Sequence, residues 1–525
     1  MKKQKILILL LGLLLTGCGS FFTSYSSSDS SSTSSSSTTT SVSSASSSSS
    51  SSSSTGHSSS SSASNYVFTG EGQKLLDDML QDAEGITKIG VGVPSMGTPK
   101  ILVVPVEFQT YKGFGRFAEG DLDKIQLAFN GTSEQTGFES VSSFYNKSSY
   151  GKLDLTFDVL ETAFTLSQNF CYYQNDVDNG VAVILEEVLA GLDNEIDYSN
   201  YDSNNDGVID AVCLIYSLPY SGSDNQDIIL LEYMDDDFWW AWVDWYPQKH
   251  TSNYDGLKVD YYMWASVDFI NEPYDCTGTK YIPINAVTYI HETGHLLGLD
   301  DYYDYDYQDK NGNAVPSKMI GGLGGADLMD ASVGDHGPQS KILLGWIEPK
   351  VITSDETIKL VSMQDTPNEN EYQVLLIPKE WNDSYFSEYY LVDFYTPTKL
   401  NELHKGCWGL FKNKGVRIYH IDATVDHSVG DALNLDVYYT IFSYNNSTSS
   451  RLFAKLMEGD GDASLEKFTH TVHGDLPTEA SDSDLFYAGQ SFGENATWYD
   501  GTPVNFTISV DSIVFGVATL SISFK

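Results

Sequence analysis

Hydrophobic residues follow two different patterns along the chain, and the pattern changes near residue 350. Before that point, short apolar runs alternate with segments of helical period. The predicted strands are residues 101–108, 153–159, 211–216 and 261–269, and the predicted helices are residues 71–83, 139–146, 181–192 and 285–297. Because strands that alternate with helices are typical of α/β domains, we predict such a domain over residues 100–349.

Beyond residue 350 the apolar residues stand at every second position. Residues 504–510 alternate between apolar and polar side chains, and the same period returns in residues 518–524. A period of two is the pattern of a strand with one buried face, and Gly-containing turns bound these runs. We therefore predict an antiparallel, β-sandwich-like C-terminal domain over residues 350–525.

Residues 1–18 have the pattern of a secretory signal peptide. A basic start precedes an apolar run at 6–15, which is too short to span a membrane, and small residues then lead to Cys18. This ending resembles the lipobox of bacterial lipoproteins, in which the cysteine carries the lipid. We predict a protein anchored through Cys18 to the membrane at the bacterial cell surface; the alternative is an ordinary signal peptide with an incidental cysteine.

Residues 19–65 are almost entirely serine and threonine and show no hydrophobic period. We predict that they form a disordered tether that holds a folded domain away from the membrane. Residues 66–99 make up a short N-terminal segment that could act as a propeptide.

The charge balance excludes one class of partner. The 525 residues include 29 Lys and Arg against 72 Asp and Glu, for a net charge of -43. Binding of a phosphate backbone requires a cationic face, so nucleic acid is excluded as a partner. Aromatic residues make up 13% of the chain, which is enough for a large core.

Four cysteines follow the anchor: Cys171, Cys213, Cys276 and Cys407. Their spacing does not match a CxxC metal motif. Outside the cell, one or two disulfides could form, and four lone buried thiols fit the sequence equally well.

The main candidate chemistry lies in the predicted helix at 285–297, where Asn285 can cap the first turn. His291 and His295 are four residues apart, so both imidazoles project from one face of the helix, ~6 Å apart along its axis. That spacing suits two nitrogen ligands of one zinc ion. Glu292 stands about 100° further around the helix, where it can reach a water molecule beside the metal without being a ligand.

The residues after this helix complete a ligand set. Gly298 accepts a positive φ angle, so the helix can stop and the chain can turn. Asp301 can then return as the third ligand. The alternative is a pair of helix histidines held by core hydrogen bonds, but two buried imidazoles beside a carboxylate are costly without a metal or fixed partners.

Residues 291–304 contain HExxHxxGxxD followed by Tyr303-Asp304, and this run resembles the active-site signature of the immune inhibitor A family of secreted bacterial zinc metalloproteases. That family is metzincin-like, with Asp where most metzincins have a third His. Other stretches that resemble the family are 93–97, 101–108, 140–141, 148–153, 340–341, 344–346, 388–392 and 415–422. The resemblance covers most of residues 66–525.

The resemblance implies a catalytic domain with a mixed sheet and an active-site helix. In that domain His291, His295 and Asp301 would bind zinc, and Glu292 would be the general base that activates water for attack on a peptide bond. Because the ordinary pKa of histidine is ~6.5, we expect release of the metal below about pH 6.

Two residues further along the chain fit the same resemblance. Met329 stands where the family has its Met-turn, an apolar floor beneath the zinc, and an ordinary core methionine is the alternative. His336 is expected to support the site or the fold rather than to bind the metal.

A second metal, calcium, is predicted at residues 202–213. Asp202, Asn204, Asp206 and Asp210 place oxygen atoms at positions 1, 3, 5 and 9 of a calcium loop, with Gly207 at position 6 and Val208 at position 7. Position 12 holds Cys213 instead of Glu, and a strand follows instead of a helix. We predict a truncated calcium loop, with an Asp-Gly turn as the alternative. The acidic stretch 300–309 could hold another calcium, although a solvated loop is the simpler interpretation.

These features predict a monomeric, zinc-dependent endopeptidase that hydrolyses extracellular proteins or peptides at the cell surface, with calcium as a second cofactor. One alternative is a catalytically silent adhesin or binding lipoprotein with the same fold, whose aromatic residues at 238–245 could form a binding face. Another is a zinc hydrolase for a non-peptide bond. The complete set of His291, Glu292, His295 and Asp301 favours an enzyme, because a binding protein has no need of all four.

Overall fold

The structure is a computed structural model, and it describes residues 92–174, 180–220, 238–245, 254–271, 281–304, 322–331, 333–382, 384–406, 410–430, 437–447, 451–466, 468–471 and 474–525. Several predictions lie outside the described residues. They are the signal peptide at 1–18 with Cys18, the tether at 19–65, most of the segment at 66–99, the helix at 71–83, and Cys276 and Cys407.

A six-stranded mixed sheet forms the centre of the N-terminal part. Its strands are β1 (Lys100–Glu107), β2 (Thr156–Val159), β3 (Phe164–Thr165), β4 (Val208–Tyr216), β5 (Trp242–Trp245) and β6 (Lys258–Ser266). The strand order is β2-β1-β4-β6-β5, and β3 pairs with the far end of β1. All pairs are parallel except β5 with β6, which is antiparallel.

The helices lie on both faces of this sheet. They are α1 (Asp121–Asn130), α2 (Ser133–Thr136), α3 (Val141–Ser148), α4 (Phe170–Gln174), α5 (Gly180–Leu192), α6 (Val287–Leu296), α7 (Leu328–Ala331) and α8 (Pro338–Leu343). Short 3-10 helices span Tyr198–Tyr201, Val267–Asn271, Lys399–Gly406, Ser464–Glu466 and Asp482–Asp484. Within the described part of the chain, none of these helices combines the length and the apolar character that a membrane-spanning helix needs.

The central strands are buried on both sides, which explains their unbroken apolar runs. In β1, Ile101 and Val103 join one core together with α1, α3 and α6, whereas Leu102 and Val104 join another core with α5. The candidate helix α6 therefore lies on one face of the sheet, inside the first core. Cys213 of β4 is a buried free thiol, which confirms the lone-thiol alternative for this residue.

The predicted elements exist where they fall on described residues, but some bounds were wrong. The strand predicted at 261–269 ends at Ser266, and Val267–Asn271 is a 3-10 helix. The Ser266 hydroxyl accepts a hydrogen bond from the Asp268 amide at 3.0 Å, which turns the chain out of the extended form. The strand predicted at 153–159 begins only at Thr156.

The C-terminal part is built from short strands. They are β7 (Lys350–Val351), β8 (Glu356–Val361), β9 (Glu371–Tyr372), β10 (Val374–Pro378), β11 (Glu388–Tyr395), β12 (Gly415–Asp422), β13 (Val425–Gly430), β14 (Val437–Phe442), β15 (Ala454–Met457), β16 (Phe468–Thr471), β17 (Gly474–Pro477), β18 (Ser491–Phe492), β19 (Phe506–Val514) and β20 (Val517–Phe524). Two five-stranded sheets have the orders β15-β12-β11-β10-β7 and β18-β19-β20-β8-β9. Most pairs are antiparallel, as predicted, but β7 with β10 and β8 with β9 are parallel.

The first of these sheets is shared between two cores. Along β11, Tyr390, Val392 and Phe394 pack in the core between the two sheets, whereas Tyr389 and Leu391 pack in the core that contains α6. All eight residues of β11 are buried. The strand pattern changes near residue 350 as predicted, yet the hydrophobic core that surrounds α6 continues across that point.

Candidate metal centre

Helix α6 is fixed at both ends by its neighbours. The Asn285 side chain accepts a hydrogen bond from the Val287 amide at 3.1 Å, just before the first turn. The Tyr289 hydroxyl donates to the Ser266 carbonyl at 2.6 Å, which ties the helix to the end of β6. At the other end Gly298 has φ 92°, so the chain reverses at the position that the sequence predicts.

The two histidines of this helix converge on Asp301. His291 Nε2 lies 3.0 Å from Asp301 Oδ1, and His295 Nε2 lies 3.4 Å from Asp301 Oδ2. One ligand atom from each residue lies within 4.8 Å of the other two. His291 is 2% exposed and Asp301 5%, whereas the His295 side chain is 11% exposed, so the group is mostly buried and reaches solvent at His295.

Backbone carbonyls hold both imidazole rings from behind. His291 Nδ1 lies 3.1 Å from the Leu328 carbonyl, and His295 Nδ1 lies 2.8 Å from the Leu299 carbonyl. A carbonyl can only accept, so the hydrogen of each ring is assigned to Nδ1. Nε2 is therefore the nitrogen of each ring that can bind a metal once it has lost its proton, which is the usual arrangement of metal-binding histidines.

The electrostatics of the group favour a bound cation. Burial lowers the pKa of His295, but the charge of Asp301 outweighs it and raises this pKa to about 10. Burial also lowers the pKa of His291, and hydrogen bonding to Asp301 reverses this and raises it above its usual value. Burial would raise the pKa of Asp301, yet the two histidines hold it well below its usual range. A proton on His295 thus occupies the role that a metal cation would take.

The donor set fits zinc. Two imidazole nitrogens and one carboxylate oxygen are a ligand set of catalytic zinc sites, in which a further position is left open. Glu292 is 1% exposed and lies outside the set of mutually close ligand atoms formed by His291, His295 and Asp301. Its carboxylate is therefore placed beside the ligands rather than among them.

Met329 lies directly against the helix. A Cβ atom added to Gly294 would lie 2.5 Å from the Met329 sulfur, so a larger residue at 294 would have to displace the end of this buried methionine side chain. The Met329 carbonyl accepts from the Tyr302 amide at 3.0 Å, and Tyr302 is the residue after Asp301. Sequence reasoning missed Gly294. A glycine inside a predicted helix destabilises the helix by about 1 kcal/mol relative to alanine, so its presence indicates close packing at that residue.

Asp327 organises the loop that carries Met329, and the sequence analysis did not identify it. Its carboxylate accepts from the amides of Met329 and Gly337 at 2.9 and 2.8 Å and from the Ser340 hydroxyl at 2.8 Å. Burial would raise the pKa of Asp327, but the nearby imidazole of His336, whose Nδ1 lies 3.8 Å from Asp327 Oδ1, lowers it below the usual range. His336 therefore supports this loop, and within the described residues it is not part of the ligand group.

A buried arginine holds the preceding residues of the same loop. Arg417 donates to both carboxylate oxygens of Asp393, at 3.0 and 2.5 Å, and to the Ala326 carbonyl at 3.1 Å. A bidentate pair of this kind fixes geometry as well as charge. The sheet that contains β12 thus positions the loop beneath the candidate metal centre.

The calcium loop predicted at 202–210 has a different geometry. Asp202 accepts from the Asp206 and Gly207 amides, both at 3.0 Å, and Asp206 accepts from the Val208 amide at 2.9 Å. Asn204 also accepts from the Asp206 amide at 3.0 Å. These side chains satisfy the backbone of their own turn.

Asp210 of the same loop is buried, and burial raises its pKa to about 7. Its carboxylate accepts from the Ser203 amide at 3.2 Å. Among the described residues, Asp202, Asp206 and Asp210 do not bring their oxygens together as closely as the ligands of the histidine site do. Calcium at this loop stays a prediction.

The adhesin alternative would use the aromatic residues at 238–245 as a binding face, and two of them are buried. Trp239 is fully buried, and its ring meets Phe108 edge to face at a centroid distance of 5.6 Å. Trp240 is 8% exposed and packs against Tyr220 and Phe269. These two residues are part of the core.

The chain was also compared with known proteins. A scan against models of known protein families gives no match, and no curated protein is significantly similar to the sequence. The interpretation of the site therefore rests on its own geometry, which brings His291, His295 and Asp301 into one buried group beside Glu292.

Proposed function

We propose that the chain is a zinc-dependent endopeptidase. The observation that carries this proposal is the convergence of both His Nε2 atoms on the Asp301 carboxylate, with each Nδ1 held by a carbonyl and Glu292 adjacent. Attachment to the bacterial cell surface through Cys18, and extracellular proteins as substrates, are part of the same proposal and rest on the sequence.

Each residue of the site has a distinct task in this mechanism. A bound zinc ion would supply a Lewis acid that lowers the pKa of water and polarises the scissile carbonyl. Glu292 accepts the proton of the attacking water and passes it to the nitrogen of the leaving amine. Asp301 balances the positive charge between the histidines, and the carbonyls of Leu328 and Leu299 keep their rings in place.

The apolar surroundings support this chemistry. Met329 is fully buried against Gly294, so the back of the helix is closed to water. In a site of low dielectric, the charge interactions among Glu292, the imidazoles and Asp301 are stronger than in water. Burial of Trp239 and Trp240 also weakens the alternative of a binding protein that uses an aromatic face.

The test is cleavage of an unfolded protein by the zinc-loaded full chain. We expect Glu292→Gln to reduce turnover by at least ~100-fold, because the general base is lost while the shape of the side chain is kept. Zinc content should not change, since Glu292 lies outside the ligand group. Glu161→Gln, at an exposed turn, is the matched control and should cleave normally.

The proposal has a clear contrary outcome. If the folded, zinc-loaded chain cleaves no protein or peptide even after limited proteolysis of its N-terminal segment, the endopeptidase assignment is wrong. If the folded chain binds no zinc at all, the metal assignment is wrong as well.

A further inference from the structure

A second convergent group of ligand atoms lies in the C-terminal part of the molecule. Glu458 and Asp460 stand in the loop after β15, and Asp484 ends the 3-10 helix Asp482–Asp484. One carboxylate oxygen from each residue lies within 4.8 Å of the other two. The fold thus places three negative charges together from two segments that are distant in the sequence.

The buried member of this group has an oxygen that the protein leaves unsatisfied. Asp484 is 1% exposed, and its Oδ2 accepts from the Ser481 amide at 2.7 Å. Its Oδ1 is fully buried and, among the described residues, receives no hydrogen bond. A buried carboxylate oxygen without a donor, next to two more carboxylates, is strongly unfavourable unless a cation compensates for it.

The rest of the protein holds the group in place. Glu458 Oε2 accepts from the amide and the hydroxyl of Ser464, at 2.5 and 2.9 Å, which fixes the direction of its carboxylate. The Gly459 amide donates to the Asp484 carbonyl at 3.0 Å. A Cβ atom at residue 459 would lie 2.4 Å from the Leu485 carbonyl oxygen, so this contact between the two segments requires glycine.

We propose that Glu458, Asp460 and Asp484 bind a calcium ion. Calcium takes oxygen ligands at ~2.3–2.6 Å, so ligand atoms on opposite sides of the ion are up to about 5 Å apart, which matches the spacing of this group. An all-oxygen set favours a hard cation over zinc or copper. Magnesium demands shorter bonds and a near-ideal octahedron, which an exposed loop residue such as Asp460 does not impose.

The site also has a structural consequence for the candidate metal centre. The Leu456 amide donates to the Gly322 carbonyl at 2.9 Å, and the Ala480 amide donates to the Gly324 carbonyl at 2.8 Å. Both segments that carry the calcium ligands therefore support residues 322–326, which lead into Asp327 and Met329. A calcium ion would fasten these two segments to each other beneath that loop.

The experiment is thermal unfolding of the full chain during a calcium titration, with Asp460→Asn and Asp484→Asn. In the parent protein, calcium at ~100 times Kd should raise the unfolding midpoint by on the order of 5 °C. Both variants should lose this response. Because Asp460 is exposed, its variant should fold, and without calcium its midpoint should rise, since one of three repelling charges is removed.

Two control variants locate the response. Asp511→Asn removes an exposed carboxylate from β19 of the same part of the molecule and should respond to calcium like the parent. Asp202→Asn tests the other candidate loop. The proposal is overturned if calcium does not raise the unfolding midpoint of the parent, or if Asp460→Asn and Asp484→Asn both keep that rise. It is also overturned if Asp202→Asn alone abolishes the rise. A fourth contrary result is magnesium at the same concentration stabilising the parent as well as calcium does.

Discussion

The helix α6 and the loop at 202–210 both carry candidate ligand residues at motif spacing, but their side chains make different contacts. His291 and His295 of the helix direct Nε2 at Asp301, which follows the helix, and carbonyls hold the far side of each imidazole. In the loop, the Asp202 carboxylate turns to the amides of its own turn. The ligand side chains of the helix are oriented by contacts with other segments, whereas those of the loop are bonded to the backbone of their own turn.

The largest effect should follow loss of the shared carboxylate. Asp301→Asn removes the charge that balances two buried imidazoles, so zinc affinity should fall by more than ~100-fold, and cleavage should fall with it. Zinc titration against a competing chelator measures this. Asp300→Asn, at the exposed neighbouring residue, is the control, and equal losses in both variants would contradict the assignment of Asp301 as a ligand.

The packing behind the helix should be the next most sensitive feature. Gly294→Ala places a methyl group against the Met329 sulfur, so we expect the free energy of unfolding to fall by ~1–3 kcal/mol. Met329→Ala should relieve that clash, and the double variant should therefore lose less than the sum of the single variants. Denaturant unfolding of all four proteins measures the coupling, and additive losses would show that the contact does not exist.

The pH dependence of zinc binding should also distinguish the helix from the loop. Since the charge of Asp301 outweighs burial and raises the pKa of His295 to about 10, the metal-free site holds a proton at pH 7 that zinc must displace. Zinc affinity should rise about tenfold per pH unit for each proton released. Calorimetry in buffers of different ionisation enthalpy counts these protons, and a count of zero would contradict the charged pair.

The raised pKa of His295 opposes zinc binding, but it stabilises the fold of the metal-free protein. A raised pKa in the folded state stabilises the fold fully below the unfolded pKa of ~6.5, and this contribution is lost as the pH rises through about 10. The expectation from sequence that the metal is released below about pH 6 used the ordinary histidine pKa, and it stays a prediction. Unfolding of the metal-free chain between pH 6.5 and 10 tests this.

The smallest effect should come from the loop. Asp202→Asn keeps one acceptor oxygen but loses the charge, so without calcium we expect the free energy of unfolding to fall by about 1 kcal/mol. Zinc affinity should stay the same. If calcium strongly stabilised the parent and Asp202→Asn removed that stabilisation, the loop would be a cation site in its own right. The distinction between the loop and the helix would then be wrong.

Local patterns predicted much of the fold. The apolar runs identified β1 and β4, and the period of two identified β19 and β20, because side-chain alternation and helical period are properties of short segments. The 3-10 helix at Val267–Asn271 was missed, since one hydrogen bond from Asp268 to Ser266 decides it. The two parallel pairs of the C-terminal sheets were missed because strand partners are chosen at long range.

The sequence by itself determined the central chemistry: two histidines on one helical face, Glu292 beside them, and a glycine at residue 298 that lets Asp301 return. Helix geometry fixes those directions without reference to the rest of the chain. Only the tertiary structure decided that Leu328 holds His291, that Met329 packs on Gly294, and that Asp484 meets Glu458. These contacts join residues far apart in sequence, and their geometry depends on which segments pack together, which no local period encodes.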